Sequence, residues 1–263
     1  MILGVISSTL SLSIPLVLVA LGGVFSVRSG IMALGLESMM LFGSFSAVVG
    51  SYYSGSAIVG VVCGIAGGIL LGLAHGVLCV RYKMNQVISG IGLNLLSTAA
   101  STLLLQVIWK NKGSSDTVKG ITLRLSFLKR IPVIGEILGT QSILLPITIA
   151  LAFLGGFILF RTPFGLRMRM VGENPKAASS VGIPVHRIKY IGVTICGALA
   201  GLGGAYLSVD RLNMFVREMS ASRGYIALAI AILSKYDPCL RERCSVSVRP
   251  SRFICRDTAF LRN

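Results

Sequence analysis

Charge is what this sequence is short of. Asp, Glu, Lys and Arg make up 13% of its 263 residues, while 54% are hydrophobic. A soluble domain carries roughly 25% charged residues. A water-soluble fold of this size could not cover so much apolar surface with so few charges; lipid as the solvent removes that demand. Acidic residues are scarcest, 9 against 25 Lys and Arg, for a net charge of +16. The cations lie between apolar windows rather than on a soluble basic face, so the excess reads as loop charge beside a lipid bilayer, with no nucleic-acid partner. The sequence has no G-x-x-x-x-G-K-[ST] loop, which excludes that way of cradling ATP. Cys63, Cys79 and Cys196 fall inside apolar windows, where they pack as small apolar residues, and the six cysteines suggest no disulfide framework. His75 stands without a Cys/His spacing that would point to a metal, and no metal site is expected. The N-terminus lacks a basic n-region and its apolar stretch exceeds 7–15 residues, so it reads as a first span and not a signal peptide.

What is present is a series of windows free of Asp, Glu, Lys and Arg: 1–27, 38–80, 84–109, 137–160 and 190–209. Crossing a bilayer as a helix takes about 20 apolar residues. The windows predict spans near 5–26, 31–50, 57–80, 86–108, 142–160 and 190–208, with a shorter apolar piece at 224–234. The expected fold class is an all-α, polytopic transmembrane helix bundle of about six to seven spans. Arg28, Arg81, Lys83 and the basic segment 161–189 then share one side, which the positive-inside bias makes cytoplasmic. The loop 109–141, with Lys110, Lys112, Lys119, Arg124, Lys129 and Arg130, disagrees in charge but falls outside by parity.

Two further patterns bear on helix packing and function. Gly60, Gly64, Gly68, Gly72 and Gly76 recur every fourth residue, laying small residues along one helix face for close approach of a neighbour. Gly197, Gly201 and Ala205 repeat the pattern on a later span. Polar groups inside spans are substrate-path candidates, because a carboxylate there is costly and faces protein or water. Glu37 is the clearest and Asn94 the next, although each is also a structural partner candidate; Gln86 and His75 are weaker. An intramembrane enzyme would need paired ionisable or nucleophilic groups at one depth, and the sequence offers none.

The segment RTPFGLRMRMVGENPKAASSVGIPVHRIKY (161–190) carries helix punctuation. Asn174 is an N-cap candidate and Pro175 suits the first helical position. Lys176–Val181 can complete about two turns, Gly182 suits the C′ position, and Pro184 blocks continuation. A capped short helix in a basic loop is suited to insertion into a groove on a cytoplasmic partner. This segment resembles the coupling loop of permease subunits of ATP-binding-cassette importers of the branched-chain amino acid, ribose and nucleoside group. RSGIMALGLESMMLFGSF (28–45), SGIGLNLLS (89–97), ICGALAGLGGAYLSV (195–209) and MSASRGYIALAIAILSKYDP (219–238) are similar to further segments of that group, nearest to its nucleoside and simple-sugar permeases. The resemblance implies a permease of the cytoplasmic (inner) membrane that binds no cofactor itself. ATP is then used by separate cytoplasmic ATPase subunits, beside a second permease subunit (homo- or heterodimer) and an extracytoplasmic solute-binding protein. It implies coupling residues Gly172, Glu173, Asn174, Pro175, Ala177, Ala178 and Gly182, and a nucleoside or simple sugar as substrate. A truncated inactive remnant, or an importer of another small solute such as a branched-chain amino acid, stands as the alternative.

The resemblance stops near residue 238, which divides the chain into a transmembrane permease domain at 1–238 and a basic tail at 239–263. All 31 glycines precede the boundary, while the tail carries six arginines and Cys239, Cys244 and Cys255. A frameshift accounts for that break; a divergent basic tail at the membrane surface, or a metal-binding cysteine set, are the other readings.

Overall fold

The computed structural model describes residues 2–111, 113–120 and 144–236. The tail from 237, with its three cysteines, and most of the loop 109–141 lie outside the described residues. Helices dominate the rest: α1 (Ile2–Arg28), α2 (Leu36–Ser54), α3 (Ala57–Gly76), α4 (Gln86–Trp109), α5 (Leu144–Arg161), α6 (Pro163–Glu173), α7 (Pro175–Ser180), α8 (Val185–Ala205) and α9 (Arg223–Tyr236). α3 and α8 run on through wider π turns, Val77–Arg81 and Tyr206–Leu212.

Five of these are long and apolar enough to cross a membrane: Ser11–Arg28, Ala57–Arg81, Gln86–Trp109, Leu144–Arg161 and Val185–Leu212. Their outward faces are apolar, as lipid contact requires: Ile58, Val62 and Leu70 on α3, Leu103 and Val107 on α4, and Phe153 and Phe157 on α5 are all exposed. The chain is a multi-pass membrane protein.

α2 departs from the expectation of a span at 31–50. It starts at Leu36, and it is not apolar enough to qualify by composition. The reason is its position. α2 packs on α3, α4, α8 and α9 and buries Ser38, Ser44 and Ser51 among them. A helix enclosed by other helices need not match lipid, and its 19 residues still reach about 28 Å. Residues 29–35 are non-helical. Gly30 turns the chain at φ +88°, where a side chain would be strained. The Ser26 hydroxyl donates to the Ile31 carbonyl, 2.8 Å away, and so ties the turn together.

The glycine stripe does what its spacing predicts. A methyl group at Gly68 would land on the Gly197 carbonyl, at Gly64 on the Ala205 side chain, and at Gly60 on the Ala47 carbonyl. Gly197 and Gly201 return the approach against Gly68 and Gly64. α2, α3 and α8 therefore meet backbone to backbone at the centre of the bundle.

The helix ends fall into two groups, at opposite ends of the bundle. Gly172, at the end of α6, packs on the Arg28 carbonyl at the end of α1, and the Met32 N–H donates to Gln86 Oε1 at the start of α4 (2.8 Å). Arg28, Arg81, Lys83 and the basic α6–α7 region so gather at one end. Lys119 sits at the other, where its carbonyl accepts from the Ser51 hydroxyl (3.2 Å) and Tyr52 packs on Trp109. The start of the discordant basic loop thus lies opposite the 161–189 segment, as parity requires.

Candidate functional site

The connection from α8 to α9 is not a surface loop. Residues 213–217 run antiparallel to 113–118: the Val118 N–H donates to the Asn213 carbonyl (2.7 Å), the Ser115 N–H to the Phe215 carbonyl (2.9 Å), and the Arg217 N–H to the Gly113 carbonyl (3.0 Å). The Phe215 ring stacks edge-on against Phe45 of α2, centroids 5.3 Å apart. Five residues later the Ser220 hydroxyl donates to Glu37, at the start of α2. The segment has therefore passed along α2 by about 12 Å, two turns of helix. Asn213, Glu218, Ala221 and Ser222 all hold positive φ, 45–62°, a region non-glycine residues seldom occupy and one that collects at functional sites.

Glu37 is the anchor. Its Oε1 accepts from the Ser220 hydroxyl and the Ser222 N–H (3.0 Å), and its Oε2 from the Gly224 N–H (2.7 Å). Ser222 and Gly224 flank Arg223, the first residue of α9, so the carboxylate satisfies N–H groups that the helix itself leaves unpaired and complements the positive end of its dipole. Asn94 does the equivalent for α2. Its Oδ1 accepts the Ser38 N–H (2.9 Å), which fixes the amide orientation; its Nδ2 then donates to the Leu34 carbonyl (3.3 Å) and to the Tyr225 hydroxyl (2.6 Å). Asn94 lies eight residues into α4, so this junction is about 12 Å below the end where α4 begins.

Both side chains line one cavity of about 400 Å³, within the range of small-molecule sites. Thr98, Glu218, Ser220 and Tyr225 add polar groups; Leu41, Ile91 and Leu95 form apolar wall. No Lys or Arg is among the described residues that line it. Non-helical backbone at membrane depth is tolerated where it lines such a cavity. Glu37 and Asn94 were legible in the sequence as polar residues in spans. Glu218 and Tyr225 were missed; the signal was the charged pair Arg217–Glu218 between two apolar stretches. Of the weaker candidates, Gln86 holds the Met32 N–H. His75 is buried, with Nδ1 3.0 Å from the Ser89 hydroxyl and Nε2 3.3 Å from the Met32 carbonyl, so it ties α3 and α4 to the 29–35 connection.

The second constellation is the α6–α7 unit. Asn174 Oδ1 accepts the N–H groups of Lys176 and Ala177, both 3.1 Å away, and Pro175 occupies the first helical position. At the far end the Gly182 N–H bonds the Ser179 carbonyl (3.0 Å) and the Ile183 N–H the Ala178 carbonyl (3.1 Å), with Gly182 at φ +80°: a Schellman cap. The sequence missed α6, although Thr162–Pro163 repeats the Asn174–Pro175 punctuation and the Thr162 hydroxyl accepts the Gly165 N–H (3.2 Å). Of the expected coupling residues, Glu173, Asn174, Pro175, Ala177 and Gly182 face outward. Ala178 is buried among Met168, Val171 and Ile188, and Gly172 is pressed on the Arg28 backbone. These two anchor the unit to the bundle.

A family profile described as branched-chain amino acid transport system / permease component matches residues 5–239. The chain belongs to this permease family. The guanosine ABC transporter permease protein NupQ of Bacillus subtilis is 37% identical over 244 residues, 89% of this chain and 76% of that protein. The nucleoside ABC transporter permease protein NupC of Lactococcus lactis is 36% identical over 241 residues, with the same shares covered. A putative glucose ABC transporter permease protein of Haloferax volcanii, TsgC13, is 33% identical over 248 residues, 89% of this chain and 71% of its own. No solved structure matches. The permease family accounts for the apolar bundle and for a chain in which no phosphate loop is found.

Proposed function

We propose that this permease translocates a nucleoside, or failing that a simple sugar, as the membrane-spanning subunit of an ATP-binding-cassette importer in the cytoplasmic membrane. The cavity carries the reading. It offers hydroxyl, amide and carboxylate groups against apolar wall, which suits a neutral solute with a polar edge and a flat apolar face. A free amino acid would bring a carboxylate beside those of Glu37 and Glu218, and no Lys or Arg among the described lining residues meets it. That argues against a branched-chain amino acid, and the guanosine and nucleoside permeases among the relatives support the same choice.

Energy reaches the cavity from outside the chain. ATP is hydrolysed by separate cytoplasmic ATPase subunits that seat α7, and an extracytoplasmic solute-binding protein delivers the substrate to this subunit and a second permease. The outward row Glu173, Asn174, Ala177, with the exposed apolar Val181 and Leu166 beside it, supplies the seat. Its anchors Ala178 and Gly172 pass motion of α7 to α1 and α8; the transition is driven by differential contact in two states.

Uptake of radiolabelled guanosine, adenosine, glucose and leucine into proteoliposomes holding the assembled transporter tests the proposal. ATP-dependent accumulation of a nucleoside is the expected result. Accumulation of leucine with neither nucleoside nor glucose taken up would overturn it.

A further inference from the structure

A hydrogen-bond account of the cavity separates its structural groups from those still available. Glu37 already accepts three bonds, from Ser220, Ser222 and Gly224. Asn94 has given both its N–H groups, to Leu34 and Tyr225, and its oxygen to Ser38. The Ser220 hydroxyl proton is committed to Glu37, and the Thr98 proton to the Asn94 carbonyl (3.0 Å). Three groups are left. One is the Ser222 hydroxyl, which lines the cavity and makes no side-chain hydrogen bond among the described residues. Another is the Glu218 carboxylate, exposed to the cavity and receiving no hydrogen bond among the described residues. The third is the Tyr225 hydroxyl proton. Because Asn94 Nδ2 donates to that oxygen, the phenol accepts there and its own O–H is free to donate.

The site thus presents a two-oxygen acceptor fork at Glu218, with the Tyr225 and Ser222 hydroxyls as the available donors. Glu218 is held there by a left-handed backbone, φ 55°, so the chain spends strain at the residue that bears the free carboxylate. Resting on the importer reading above, we infer that Glu218 determines substrate specificity by accepting two adjacent hydrogen-bond donors of a neutral solute, while Tyr225 donates to an acceptor beside them. A planar carboxylate takes two parallel N–H or O–H groups in the geometry it uses with a guanidinium fork. Two sources present such a pair in a nucleoside. One is the N1–H and N2–H edge of guanine, whose neighbouring O6 would take the tyrosine proton. The other is the cis-diol of the ribose. Adenine offers no such edge, since its N1 is an acceptor.

The experiment uses the assembled transporter in proteoliposomes, with wild type, Glu218→Gln and Glu218→Asn compared on guanosine, adenosine and 2′,3′-dideoxyguanosine. Asn tolerates left-handed backbone, so the second variant removes the carboxylate without adding strain. Both variants are expected to raise KM for guanosine by about 10- to 100-fold, the worth of hydrogen bonds to a charged acceptor, with the maximal rate held within about twofold. If the base edge is the source, adenosine KM stays unchanged and dideoxyguanosine is affected like guanosine. If the diol is the source, guanosine and adenosine shift together and dideoxyguanosine is insensitive. Wild-type nucleoside uptake with every KM unchanged in both variants would overturn the assignment and leave the importer reading standing. Wild-type vesicles that import no nucleoside and no sugar would remove the importer reading, and this inference with it.

Discussion

Glu37 shows how one side chain can determine the shape of a site it does not need to contact through substrate. Its two oxygens accept the Ser220 hydroxyl and the Ser222 and Gly224 N–H groups from 183 to 187 residues away in sequence. Glu37→Ala would leave the part-buried Gly224 N–H unpaired, at about 1–3 kcal/mol, and would free the more exposed Ser222 N–H as well. We expect a lower melting temperature in detergent and loss of transport together, read by thermal unfolding and by uptake. Gly224→Ala should reproduce that phenotype from the other side, because its Cβ would meet the Glu37 backbone at 2.6 Å. An unchanged melting temperature in both variants would refute the anchor role. That Glu37 needs a protein partner was readable from a carboxylate inside a predicted span. What it binds was not readable, since no local pattern links position 37 to position 224.

At the scale of elements, the bundle rests on small residues rather than on large apolar ones. Lipid is as apolar as leucine, so helix association depends on close packing. Gly68→Leu would push α3 away from the Gly197 carbonyl and the Gly201 backbone. It should abolish the monodisperse peak in size-exclusion chromatography. Gly156→Ala is the control, because a Cβ there meets nothing within 4 Å, and its profile should match wild type. The stripe was legible because a repeat of four is a property of one helix. The break between α8 and α9 was less so, because its extended path follows Phe45 and the 113–118 segment, which are distant in sequence.

For the whole molecule, the question is how a movement at α7 reaches a cavity about 12 Å inside the bundle. The route in the structure is short. α7 is fixed to the core by Ala178, and α6 by Gly172 on Arg28; the 29–35 connection then leads directly to α2, Glu37 and the cavity wall. Replacing Glu173, Asn174 and Ala177 together should disconnect ATP hydrolysis from uptake while membrane insertion is retained. Loss of the Asn174 cap contributes about 1 kcal/mol of that effect. Ala178 does not belong in such a variant, since it is 1% exposed and its replacement would test packing instead. Uptake at the wild-type rate would count against the coupling role of α7.

The sequence by itself determined the solvent, the order of the spans, the side that carries the cations and the capped helix at α7. Each of these depends on composition or on residues within a few positions of one another, where hydrophobic runs, four-residue repeats and caps act. Only the tertiary structure decided that α2 is enclosed rather than lipid-facing, that the chain re-enters the bundle before α9, and that Glu37 and Asn94 are spent on holding it there. Those facts come from hydrogen bonds across 56 to 187 residues, and pairings at that range leave no periodicity in the chain. They also leave Glu218 with an uncommitted carboxylate, a property that belongs to the assembled cavity and to no single stretch of sequence.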